Sequence, residues 1–442
     1  MTKFLKLELK NYRRFADLVI DFESGLTVIA ARNGQGKTTI LEAIAVAFGP
    51  FVGAFDNGKS KHIEASDARY SKVGVGFENE QNFPVIIHAE LKDPEISWQR
   101  ALTGTKSRTT TKEAAPLSNW GKALQEQLRV DPKTELPLVS YYSSRRLWVN
   151  HKNIARRGVL TESRSMGYED CLSPSSNYTQ LQQWLKKATY AVLQQQQKEQ
   201  SSAELANLKE RLDCIKNAVN EVMASEDWTD FDYSVALDDL AMSHAEHGML
   251  PFSMLSDGVR AVISLAADIA FRCARLNGQF GKDAARLTQG IILIDEVDLH
   301  LHPAWQQRIL SALQAAFPKI HFIVSTHSPQ VLSTIESRRI RVVFQDSQGQ
   351  WQAVNPAQEV KGLESAVALN DIMGVNPIPP IEEAQWLADF IALIEQGLDD
   401  NKDGQELYKK LTALYGANHP VLLNAERLIR FQKFKLRNNA RV

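Results

Sequence analysis

Residues 26–39 read Leu-Thr-Val-Ile-Ala-Ala-Arg-Asn-Gly-Gln-Gly-Lys-Thr-Thr. A short apolar strand runs into a glycine-bearing turn, and Ile40, Leu41, Ile44 and Ala47 then recur at helical spacing. A strand–turn–helix of this kind lets backbone N–H groups close around phosphate oxygens at a helix N-terminus. Gly34 and Gly36 supply the small residues, Lys37 is placed to reach β- and γ-phosphates, and Thr38 offers a hydroxyl to Mg²⁺. With Asn33, Gln35 and Thr39, these residues form the candidate nucleotide-binding loop. The usual GxxxxGK[ST] pattern begins with glycine; Ala31 stands there instead, which fits if its φ is negative.

Three further motifs follow in a fixed order. Leu255-Ser256-Asp257-Gly258-Val259-Arg260 immediately precedes a helical stretch. Ser256 is an N-cap, and Ser256, Asp257 and Gly258 together read as a second phosphate site, used by a neighbouring subunit. Ile291-Ile292-Leu293-Ile294-Asp295-Glu296 puts two carboxylates at the C-terminal end of a buried strand, where ligands sit in parallel α/β sheets. Asp295 then holds Mg²⁺ through water, and Glu296 orients and deprotonates an attacking water. Finally, Ser325-Thr326-His327-Ser328-Pro329-Gln330 follows the apolar run 320–324, so His327 stands at a strand end, able to hydrogen-bond a γ-phosphate. Asp298, His300 and His302 have a spacing that also allows a metal site.

Composition bounds the rest. The 442 residues are 44% apolar and 23% charged, the balance of a globular protein, and the net charge of −1 gives no overall pull toward nucleic acid. Three distant cysteines, Cys171, Cys214 and Cys273, exclude a disulfide framework or CxxC knuckle and suit a reducing cytosol. No apolar run approaches the ~20 residues of a membrane span, and charges interrupt the N-terminus, so a cytoplasmic protein without a membrane role is expected. Four segments are expected: 1–180 and 228–376 as two parts of one α/β head, 181–227 as a helical hairpin, and 377–442 as a helical docking region. Within the hairpin, Leu205, Leu208, Leu212, Ile215, Val219 and Val222 make a short a/d seam, suited to the hairpin itself or a small dimer contact, with Gln194–Gln197 as a loop or tip. One helix is expected between the runs 291–294 and 320–324. Near the C-terminus, Arg427, Arg430, Lys433, Lys435, Arg437 and Arg441 interleave with Phe431 and Phe434. That pattern suits nucleic acid, but a solvated basic face with Leu422, Leu428 and Phe431 packed on the protein or a partner is the simpler reading.

The order loop–lysine, LSxG, strand–Asp-Glu, strand–His resembles the ABC-type ATPase heads of the SMC, RecF and OLD group. The resemblance implies an α/β P-loop head with a short helical insertion and a helical C-terminal extension, binding ATP and Mg²⁺. It also implies heads that dimerise head to tail, with Glu296 and His327 catalytic and Ser256, Asp257 and Gly258 gripping the partner's nucleotide. The stretches 9–15, 45–51, Tyr141-Tyr142 with Arg146-Leu147-Trp148, 167–172 and 295–303 are similar to the PtuA-type ATPases of bacterial anti-phage defence, found in Septu systems and certain retrons. That likeness implies an HNH nuclease partner of PtuB type. In retron versions it implies a reverse transcriptase and its RNA–DNA product (msDNA), with phage or other DNA in reach. No carboxylate cluster of Toprim kind follows His327, so no intrinsic nuclease is expected. His302 stands where ABC transporters carry an aspartate, and Gln81 is the candidate for the glutamine usual before the signature, so hydrolysis is expected to be slow. The alternative is a RecF-like DNA-binding repair or loading ATPase.

Overall fold

The computed structural model describes residues 2–72, 79–144, 163–173, 178–197 and 203–439. Arg146, Leu147, Trp148 and Arg441 lie outside them. The chain forms two compact units, Met1–Met373 and Gly374–Val442.

The first unit is built on a six-stranded sheet. Its strands are β1 (Leu26–Ala30), β2 (Leu138–Tyr142), β3 (Gly290–Ile294), β4 (Ile320–Thr326), β5 (Ile340–Gln345) and β6 (Trp351–Val354), in the order β6-β5-β1-β4-β3-β2. All pairs are parallel except β5–β6. Every residue of β1, β2, β3 and β4 is buried, which is why these strands read as unbroken apolar runs rather than as alternation. Register is tight at Gly290, where any Cβ would collide with the Leu138 carbonyl. A four-stranded antiparallel sheet, ordered 15–21, 3–12, 85–92 and 96–102, flanks this sheet with alternating burial along its central strands.

The helices that bear on the site are α1 (Lys37–Ala47), α2 (Ala115–Val130), α3 (Tyr178–Gln197), α4 (Ala203–Met223), α5 (Asp257–Leu276) and α6 (Ile309–Ala316). Three expectations change here. Gln194–Gln197 are helical, the last turn of α3 rather than a loop. The a/d seam closes inside the head: Leu212, Ile215, Val219 and Val222 are buried in the core of the first unit, and α4 packs on α5. Those four residues are therefore spent within one chain and offer no dimer contact. The single helix expected between β3 and β4 is two, Pro303–Gln306 and α6, separated at Gln307 and Arg308.

The second unit holds α7 (Glu382–Glu395), α8 (Lys402–Tyr415) and α9 (Pro420–Asn439) around a small core of Phe390, Ile394, Leu411, Leu422 and Ala425. Leu422 packs as expected, but Phe431 and Phe434 are 65% and 63% exposed and Leu428 is also open. Ile429 still packs on the core that α9 shares with α7 and α8, so the face carrying Leu428, Phe431 and Phe434 is the one turned outward. Lys433 is tied back by Asp399 and Asp400. Among the described residues, no helix is long and apolar enough to cross a membrane.

Candidate functional site

The register of the parallel strands assembles the site. Ala30 on β1 pairs with Thr326 on β4, and Ile294 on β3 pairs with Val324 on β4. The residues just past these strand ends, Ala31, Asp295 and Ser325 to His327, therefore crowd together at the carboxyl edge of the sheet, the edge at which open α/β sheets take ligands.

Gly34 and Gly36 have φ of 73° and 92°, in the left-handed region that side chains other than glycine resist. Gly36 is doubly required, because a Cβ there would come within 2.5 Å of the Phe15 ring. Ala31 is not among the positive-φ residues, so the missing first glycine costs nothing. Helix α1 opens at Lys37 with no side-chain cap, leaving its first amides to the loop. Lys37 is buried; its Nζ donates to the Ala31 carbonyl at 3.0 Å and lies 3.3 Å from His327 Nδ1. Burial pulls the amine down to about 8, against the opposing field of Asp295, Glu296 and Asp298. Burial and the neighbouring Lys37 charge lower His327 as well.

Thr38 Oγ1 donates to Asp295 Oδ2 at 2.9 Å, and Ser325 Oγ donates to Asp295 Oδ1 at 2.6 Å. The Glu296 amide in turn donates to Ser325 Oγ at 2.9 Å, and the Val297 amide to the Ser325 carbonyl. Ser325 thus fixes both carboxylate-bearing residues. Glu296 has φ 48°, a left-handed turn by a residue that prefers otherwise, which throws its side chain off the strand direction. Thr326 Oγ1 donates to Asp298 and the His302 ring accepts from the Ala304 amide as an N-cap, and Asp298, His300 and His302 do not bring their ligand atoms together within metal range. The hydroxyl of Thr38 and the carboxylate of Asp295 are a hard-oxygen pair that fits Mg²⁺.

Ser256, Asp257 and Gly258 stand elsewhere, at the start of α5. Ser256 and Asp257 are exposed. Ser256 Oγ accepts the Val259 amide at 3.4 Å, Asp257 pairs with Arg260, and Gly258 packs so close that a Cβ would lie 2.5 Å from the His300 carbonyl. Gln81 lies in a small two-stranded ladder, its amide donating to the Ala65 carbonyl and Tyr70 hydroxyl.

Sequence reasoning missed Ser325, whose role appears only once β3 and β4 are paired. It also missed a buried polar link. Tyr142 OH donates to Asp268 Oδ2 at 2.7 Å, Arg272 Nε donates to the same oxygen at 2.8 Å, and Arg272 Nη1 reaches the Gly167 and Glu169 carbonyls. Two of the family-like stretches, 141–142 and 167–172, are joined by this link and serve packing.

Comparison with known proteins now bears on identity. Two family models match, one described as "AAA domain" over residues 6–223 and one as "AAA domain, putative AbiEii toxin, Type IV TA system" over 200–333. "Retron Vc95 probable ATPase" of Vibrio cholerae serotype O1 biovar El Tor is 25% identical, across 91% of this chain and 85% of that protein. "Septu protein PtuA" of Bacillus thuringiensis is 22% identical, across 94% of this chain and 95% of its own length. Over most of its length the chain is similar to retron probable ATPases and to Septu PtuA. Among solved structures, the SMC head domain from Thermotoga maritima aligns at 15% identity and a TM-score of 0.42, over 80% of this chain and 98% of that one. The chain shares with these relatives a match over most of its length; the retron protein is named a probable ATPase and the family models are AAA domains, and the head described above is α/β with a mainly parallel sheet.

Proposed function

We propose that this chain is the ATP-binding sensor and scaffold of a bacterial anti-phage defence complex. Two heads dimerise head to tail and control a separate HNH nuclease of PtuB type, with a reverse transcriptase and msDNA joining in a retron setting. The observation that carries this reading is the linked set Lys37–His327 and Thr38–Asp295–Ser325–Glu296, gathered at the carboxyl edge of the sheet, while Ser256 and Asp257 stand exposed at the start of α5.

ATP with Mg²⁺ supplies the phosphoanhydride bond that is broken. The loop 33–39 wraps the phosphates with its amides, and Lys37 exchanges its two neutral acceptors for phosphate oxygens, which restores its full positive charge. Thr38 and Asp295 hold the metal, and Ser325 keeps Asp295 oriented toward it. Glu296 takes the proton of the attacking water. His327, released at Nδ1 as Lys37 turns to the phosphates, donates a ring N–H to the terminal phosphate. From the second head, the Ser256 hydroxyl and the N-terminus of α5 grip the same phosphate, so association is strongest with the triphosphate and hydrolysis releases it. Turnover is slow, since His302 replaces the aspartate that transporters carry in the loop after the glutamate. Cutting belongs to the partner.

Co-purification from the native operon, with and without ATP and in a Glu296→Gln background, tests the whole reading. An HNH protein retained on this chain, and a larger assembly with the variant, are the expected results. A chain that stays monomeric with ATP in the Glu296→Gln variant overturns the head-to-tail scheme. A second reading, a RecF-like DNA-binding ATPase, is favoured by one feature, the exposed Phe431 and Phe434 beside Arg427, Arg430 and Lys435 on α9. ATP-dependent, salt-sensitive binding of duplex DNA by the purified chain alone would select it.

A further inference from the structure

Arg100 is fully buried in the strand Ile96–Leu102, yet among the described residues no carboxylate pairs with it. Its Nη1 donates to the Val46 carbonyl at 2.6 Å and to the Lys61 carbonyl, and its Nη2 faces His62 Nδ1 at 3.1 Å. All three acceptors are neutral. Nε, also buried, has no partner among the described residues. A guanidinium has five N–H donors, so this one keeps unused donors and an uncompensated charge. Buried arginines are ordinarily matched to an anion, because the charge is costly to take out of water unpaired. The carbonyl of Val46, in the last turn of α1, offers only the partial negative charge of a helix end.

The guanidinium lines a cleft of about 340 Å³, within the usual range for small-ligand sites. The other wall is one face of α2 at its N-terminus, where Ser118, Asn119 and Lys122 point inward and no side chain caps the helix. Ser60 and His62 come from the strap that crosses Gly49 and Gly53; a Cβ at Gly49 would lie 2.7 Å from Arg100 Nη1. The described lining therefore combines a buried arginine, an exposed lysine, a histidine, and hydroxyl and side-chain amide groups, with no carboxylate. Burial alone acts on Arg100, drawing it down to about 10, and Arg100 in turn helps lower His62. An anion in the cleft would relieve both.

We infer that the cleft between α2 and the strap 60–62 is a second anion site, separate from the ATP loop, which takes the phosphate group of a small phosphorylated molecule. Arg100 and Lys122 supply the charge, and Ser118 and Asn119 supply direction. A ligand there would brace the strap against α2, giving the head an input independent of ATP.

The test uses the full chain with Lys37→Ala, which weakens phosphate binding at the ATP loop about a hundredfold and so separates this site from the proposed ATPase site. Calorimetric titration with sodium phosphate and with AMP should show binding, weakened at least tenfold by adding Lys122→Glu and several-fold by Asn119→Ala. Lys122 is exposed, so the fold should tolerate the change; Lys122→Glu with Lys37 intact should bind ATP as the native chain does. The inference is overturned if neither probe binds, or if Lys122→Glu leaves both affinities unchanged. It is also overturned if a short oligothymidylate binds through Lys122 while phosphate and AMP do not, since that would make the cleft a nucleic-acid contact.

Discussion

The two halves of the proposed ATP site are built differently. Around Lys37 and Asp295 the polar side chains are already bonded to one another: Thr38 to Asp295, Ser325 to Asp295, the Glu296 amide to Ser325. Asp295 is 1% exposed and Ser325 fully buried, so the geometry is set by the sheet before any ligand arrives. Around Ser256 the only described restraint on the hydroxyl is its own helix's amide, at 3.4 Å, with the side chain in solvent. A preformed half costs little reorganisation when filled. A loosely capped half gives up one weak bond, and can exchange it for a phosphate held by another copy. The contrast explains how one chain can bind nucleotide firmly and still make association conditional on it.

The largest expected effect attacks the preformed half. Glu296→Gln should lower ATP hydrolysis about a thousandfold, in the range for removal of a general base, while nucleotide binding persists; phosphate-release kinetics beside calorimetry read the two separately. The sheet that carries this half is expected to be acid-sensitive from its opposite edge. His321 on β4 is buried, and burial holds it down to about 4 from 6.5. Between those values the unfolded chain carries a proton that the folded chain refuses, so stability is full above pH 6.5 and falls as pH drops toward 4. The loss is about 3 kcal/mol, visible in urea midpoints, and His321→Gln should flatten that slope. Lys37→Ala should weaken ATP binding by about a hundredfold, the scale of one charge-assisted hydrogen bond to phosphate; unchanged affinity would erase the difference between the halves. The smallest effect should come from the loose half. Ser256→Arg should leave ATP binding to the monomer intact and lower ATP-driven association about tenfold in sedimentation, consistent with removal of one capping-type bond. Equal loss of binding in Ser256→Arg would show that the halves are not separate.

The glycine loop was legible because its requirement is local: two positive φ angles and a helix start follow one another in the sequence. Asp295 and Glu296 were legible as the end of an apolar run. Ser325 was not, since its partners come from strand register across 30 positions. Strand β2 escaped because Leu138–Tyr142 is a five-residue run without alternation, and α2 because Gly121 sits mid-helix. That glycine breaks the pattern for a packing reason, as a Cβ would come within 2.8 Å of the Ala54 methyl. The seam on α4 read correctly as apolar at heptad spacing, but spacing alone does not say whether the facing surface is another chain or α5. On α9 the periodicity identified the helix, while the exposure of Phe431 depends on which face the small core covers.

The left-handed backbone at Glu296 has one more consequence. Glycine would adopt that φ of 48° without the penalty, so Glu296→Gly should make the empty protein harder to melt by about 1 kcal/mol. A laboratory campaign that ranks variants by heat resistance alone would therefore drift toward a tougher protein that lacks the carboxylate proposed to activate water. The carboxylate persists at that bend against the fold's own preference.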